Sequence, residues 1–161
     1  MSPLAPPAPR GFSRRTLLAA SAAGLTVLAV GCTSAPPEDR ERVTGRQADE
    51  LLAQVGVQET LVAAYTAAGA ADPGLAGEVA ELAAQAQEQL ERLRAAAPGA
   101  SPTATSPGSP PAPGEARSWL RAQVAAAATS HAAACVGQSG ARAALLGSIT
   151  AGLRGQDGQL A

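Results

Sequence analysis

Apolar side chains recur with a helical repeat in four stretches of this sequence. The clearest is Leu75, Val79, Leu82, Ala86, Leu90 and Leu93, at steps of four, three, four, four and three. Its other face carries Glu78, Glu81, Gln85, Glu88 and Arg92, with Glu88 and Arg92 spaced for an i,i+4 ion pair. A helix before it is expected over Gln47–Ala68, through Leu51, Leu52, Val55, Leu61, Val62 and Tyr65. A third is expected over Glu115–Val136, with Leu120, Val124, Ala127, His131 and Cys135 on one stripe. The fourth covers Gly140–Leu160, through Leu145, Leu146, Ile149, Leu153 and Leu160. Its glycines at 147, 152, 155 and 158 each cost about 1 kcal/mol against alanine, so fraying toward its end is expected.

The connections set the topology. Gly69–Gly74, with Asp72-Pro73-Gly74, is a short turn, and Gly137–Ser139 is another. They make antiparallel hairpins of 47–97 and 115–161. Between them, residues 98–114 carry six prolines. At about 3.1 Å per residue the segment reaches about 50 Å, against about 30 Å for each helix. It can therefore run the length of a bundle and return the chain at the opposite end. The expected fold is all-α: a four-helix bundle of ferritin-like type, two antiparallel hairpins joined by a long Pro-rich crossover. A disordered linker between two hairpins of another four-helix topology would give the same pattern, so that alternative stays open.

Residues 1–31 lie outside this scheme. Ser13-Arg14-Arg15-Thr16-Leu17-Leu18 resembles a twin-arginine export motif, with Arg14 and Arg15 as the pair. The apolar run 16–30 would form a helix of about 22 Å, short against a hydrocarbon core of about 30 Å, so it reads as a signal segment and not a span. Leu28-Ala29-Val30-Gly31-Cys32 resembles the lipobox of bacterial lipoproteins, in which small residues precede a cysteine whose thiol is lipidated. Cys32 is the expected lipidation site, holding the protein on the extracytoplasmic face of the cell membrane. An ordinary secreted protein, cleaved here without lipid, is the alternative. Residues 32–46, with Pro36-Pro37 and the charge run Glu38-Asp39-Arg40-Glu41-Arg42, read as a flexible tether.

Composition narrows the function. All twelve basic residues are arginine, set among many Ala, Gly and Pro, which points to a high-GC bacterial source. Losing residues 1–31 removes three arginines and no acid, leaving nine basic and thirteen acidic residues and a net charge of −4. No basic patch with interleaved aromatics remains, so nucleic acid is not an expected partner. Tyr65 and Trp119 are the aromatics that remain, and they are expected to anchor an Ala/Leu/Val core.

Leu61-Val62-Ala63-Ala64-Tyr65 and Asp72-Pro73-Gly74-Leu75-Ala76 resemble the first hairpin of small actinobacterial ferritin-like lipoproteins. Ala132-Ala133-Ala134-Cys135 and Ala143-Ala144-Leu145-Leu146-Gly147-Ser148-Ile149 are similar to their second. The resemblance covers 47–161 and the signal. It implies the fold and the envelope location, and lends no activity.

A di-iron site in such a bundle needs a Glu from each of two helices and a Glu-x-x-His from each of the others. This chain has one histidine, and Ala128 stands three residues before it. We therefore expect no catalytic metal centre, no cofactor and no enzymatic activity. The expected function is a structural or interaction protein of the envelope, with an unidentified protein partner. His131 and Cys135, four apart on one face, are the remaining candidates for chemistry. They can be read as a Cu or Zn pair completed by another subunit, as an activated Cys–His pair, or as core residues. A lipidated Cys32 leaves Cys135 without a disulfide partner in its own chain, and burial is expected for it. Glu59, mid-helix, is expected hydrated at the edge of the apolar stripe.

Overall fold

The computed structural model describes residues 43–97, 99, 106–112 and 114–161, all within one compact unit of the chain. The expectations for Arg14, Arg15, Cys32 and the tether up to residue 42 lie outside the described residues. All regular structure among the described residues is α-helical. In chain order the elements are α1 (Gly45–Ala71), α2 (Pro73–Glu78), α3 (Ala80–Ala96), α4 (Ala116–Gly137) and α5 (Gly140–Gln159). The described residues between α3 and α4 carry no helix.

Capping chemistry fixes the helix ends. Thr44 accepts from the Gln47 backbone N–H at 3.2 Å, and the Gln47 side chain accepts from the Thr44 N–H at 3.0 Å. This reciprocal pair starts α1 before its first apolar residue. Asp72 closes α1 and opens α2, its carboxylate accepting from the N–H groups of Gly74 and Leu75 at 3.0 and 3.1 Å. Pro73 adds a preset φ in the first turn. The backbones on either side of this turn come close: a Cβ on Gly69 would lie 3.0 Å from the Ala76 methyl.

Two expectations are corrected. The helix read as continuous from Leu75 to Leu93 is divided at Val79, whose ψ of 7° departs from the helical value. Hydrogen bonds of helical spacing continue across the divide, Val79 to the Leu75 carbonyl and Ala83 to the Val79 carbonyl. The apolar stripe therefore keeps its repeat through the break. The fraying expected in α5 is not what the fold describes: the helix is regular to Gln159. Gly152, Gly155 and Gly158 sit on its exposed face, while Leu153, Gln156 and Leu160 are buried. Tertiary packing outweighs the low propensity of the glycines.

The core is one cluster to which α1 to α5 all contribute, with Leu51, Leu75, Leu90, Leu120 and Leu153 among its members. Tyr65 lies inside it and Trp119 packs half-buried against it. Helix α1 packs against α3 and α4, α4 against α5, and α3 more lightly against α5. The Gln47 side chain at the start of α1 donates to the Gly137 carbonyl at the end of α4, 3.3 Å away. Arg121, early in α4, meets Asp157, late in α5, at 2.9 Å. Glu78 of α2 pairs with Arg117 in the first turn of α4.

Candidate functional site: a neutral hydrogen-bonded core around His131

Polar side chains stand where the helical repeat calls for apolar ones. Gln58 falls three residues after Val55 and three before Leu61, and Gln156 three after Leu153 and four before Leu160. Helix geometry thus aims both inward, and both are fully buried, as is His131 of α4.

Gln58 links three helices. Its amide nitrogen donates to the Ala86 carbonyl at 2.9 Å and to Gln89 Oε1 at 3.1 Å, both on α3. That leaves its Oε1 as the atom 2.9 Å from His131 Nε2. A carbonyl oxygen only accepts, so the imidazole carries its proton on Nε2 and Nδ1 is a bare lone pair. Nδ1 is buried without a partner. Burial pushes the imidazole down from 6.5 to about 4, so the ring is neutral at pH 7.

A second set joins α1, α3 and α5. Tyr65 donates to Gln156 Oε1 at 2.9 Å, and the Gln156 amide donates to Gln85 Oε1 at 3.3 Å. Burial raises the phenol from 10.0 to about 12. Nearby, Ser130 donates to Gln54 Oε1 at 3.2 Å. The bundle is therefore bridged internally by neutral amides, one hydroxyl, one phenol and one imidazole. Buried polar groups that satisfy each other add specificity to an Ala-rich interface of low contact area.

His131 and Cys135 share a face of α4 but engage different neighbours. The Cys135 thiol donates to the Ala143 carbonyl of α5 at 3.2 Å, whereas His131 is bonded to α1. Cys135 is half-buried, not sealed as expected, with its sulfur beside Gly147 of α5. Among the described residues no group of three or more His, Cys, Asp and Glu side chains converges to hold a metal ion.

Glu59 is corrected as well. Its side chain is 8% exposed and meets the Arg94 guanidinium of α3 at 2.8 Å, so an arginine replaces the expected water. Tyr65 belongs to the core, and it also borders a surface groove of about 290 Å³ between α1 and the α2–α3 segment.

Sequence reasoning missed Gln54, Gln58, Gln89 and Gln156; Gln85 lies on the exposed face, as read, and its Oε1 still accepts from Gln156. The usable signal was glutamine interrupting a leucine or valine stripe. Comparison with protein-family models, curated proteins and solved structures gives no match to this chain.

Proposed function

We propose that this chain is a lipid-anchored, extracytoplasmic four-helix bundle of ferritin-like topology, serving the cell envelope as a non-enzymatic structural or interaction protein. The observation that carries the non-enzymatic part is the Gln58–His131 bond with its companion Tyr65–Gln156. In a di-iron bundle inward Glu and His side chains bind the metal. Here Gln58 and His131, and Tyr65 and Gln156, are buried neutral groups bonded pairwise.

The topology is supported by the cross-helix pairs. Gln47 with Gly137 and Arg121 with Asp157 suit antiparallel neighbours. Glu78, at the end of α2 and just before α3 begins, pairs with Arg117 in the first turn of α4, which suits starts of α3 and α4 that lie side by side. The end of α3 and the start of α4 then lie at opposite ends, as two hairpins joined by a long crossover require. The anchor is supported by the lipobox-like 28–32 and by the twin arginines.

Expression in a high-GC actinobacterial host tests the proposal. The wild type is expected in the membrane fraction with a diacylglyceryl mass on Cys32, and Cys32→Ala is expected free of it. Wild-type protein that stays in the cytoplasm with an unmodified Cys32 refutes the anchor. Cross-linking in whole envelopes tests the interaction role. A partner contact is expected that Ala substitutions on one exposed helical face abolish, and a contact that survives substitution of every such face refutes it.

One observation favours a second reading, a metal or small-molecule module: the bare His131 Nδ1. The donor set does not fit a closed site in one chain, since a structural zinc takes four ligands and the Cys135 thiol is spent on Ala143. Further ligands would have to come from another chain. Stoichiometric Cu or Zn in purified protein, lost in His131→Ala, would establish this reading over the first.

A further inference from the structure

Among the described residues three large apolar side chains are exposed: Val43, Leu52 and Val136, the last 88% exposed. All three lie at one end of the bundle. Val43 precedes the α1 cap Thr44. Val136 adjoins Gly137, whose carbonyl accepts from Gln47 in the first turn of α1. Leu52, about two turns into α1, borders a groove with Ala97 at the end of α3 and Arg142 in the first turn of α5. Trp119 lies about 26 Å from Val136 along α4, toward the other end.

This is the end the preceding chain enters. Val43 is eleven residues after Cys32, a span of at most about 40 Å. An anchor at Cys32 holds this end near the bilayer, while the far end of α1 stands about 40 Å beyond it. We propose that the Val43, Leu52 and Val136 end of the bundle rests on the lipid surface, its three apolar side chains entering the interface. The inference rests on the lipid-anchor reading above.

Three side chains bury too little area to bring a free protein to a bilayer. The tether changes that, because it fixes this end at an effective concentration in the millimolar range. Charge contributes no attraction: Arg46 and Arg142 are offset by Asp49 and Glu50. Contact is therefore independent of the anionic lipid fraction, unlike that of a polybasic segment.

The test uses the mature lipidated chain in phosphatidylcholine vesicles with brominated acyl chains, which quench indole fluorescence on contact. One sample keeps native Trp119, and the other carries Trp119→Phe with Val136→Trp. Intact mass is read on the same material. Val136→Trp fluorescence is expected to fall about two-fold against unbrominated vesicles, equally with and without phosphatidylglycerol, while native Trp119 is unchanged. A lipidated sample whose Val136→Trp fluorescence is unquenched overturns the contact and leaves the anchor standing. A mass without lipid on Cys32 takes down the anchor, and the contact with it. Quenching that appears only with phosphatidylglycerol also overturns the proposal. So does a Cys32→Ser dimer in sedimentation that Val136→Ser dissociates, because a second copy then covers this surface.

Discussion

Replacing Gln58 and His131, singly and together, probes the buried bond between them. In Gln58→Leu the His131 Nε2–H loses its acceptor in a dry interior, while the half-buried Gln89 can turn to water. A stranded buried donor costs about 1–3 kcal/mol, so a loss of about 2 kcal/mol is expected. His131→Leu strands Gln58 Oε1 but also removes Nδ1, which already lacks a partner, so the loss is smaller, about 1 kcal/mol. The double variant strands neither group and is expected within about 1 kcal/mol of wild type. Additivity would give about 3 kcal/mol, so the coupling is about 2 kcal/mol. Urea unfolding of the unlipidated Cys32→Ser chain at pH 7 reads this directly. With a slope of about 2 kcal/mol per molar, Gln58→Leu lowers the midpoint by about 1 M and the double variant recovers most of it. Single-variant losses that add to within about 0.5 kcal/mol would refute a specific Gln58–His131 bond.

Three more outcomes follow from the same core. The His131 pKa is lowered from 6.5 to about 4, so the unfolded chain takes up the proton first. The resulting stability, about 3 kcal/mol, is full above pH 6.5, shrinks as pH falls toward 4 and is spent below it. His131→Leu should lack this slope in urea titrations across that range, and an identical slope would contradict the assignment. Tyr65 has the opposite sign: its phenol is raised from 10.0 to about 12, so about 3 kcal/mol of stability is full below pH 10 and lost between pH 10 and 12. As the single tyrosine, it should show tyrosinate absorbance only as the chain unfolds, and titration near pH 10 with the fold intact would contradict its burial. Asp72→Ala removes the one carboxylate oxygen that accepts from two N–H groups at the start of α2 and should cost about 1 kcal/mol in thermal or urea unfolding, whereas Asp72→Asn should cost less.

The sequence was most legible where helices bury leucine. Leu82, Leu90 and Leu93 set the α3 stripe, and Leu120, Leu146 and Leu153 set those of α4 and α5, so these helices lie where their repeats predict. The start of α1 was displaced because Thr44 and Gln47 form it through hydrogen bonds, ahead of Leu51 where its apolar stripe begins. Val79 could not be read as a divide, since hydrogen bonds of helical spacing cross it and the repeat runs on. The polar core was least legible. Gln58 and Gln156 are ordinary helix formers by composition, and only their partners 73 and 91 residues away give them an interior role. Glu59 carries the same lesson, its water replaced by Arg94 from 35 residues along the chain.

Because the chain has one histidine, its ring nitrogens give a single, unambiguous set of nitrogen-15 chemical shifts. Those shifts, followed from pH 7.5 to 4.5 with and without one equivalent of Zn or Cu(I), decide between a structural side chain and a ligand. The account predicts a neutral Nε2–H tautomer down to about pH 5, with protonation setting in only as pH nears 4, and no shift with either metal. A ring that protonates near pH 6.5, or an Nδ1 signal that shifts stoichiometrically with metal, would contradict it.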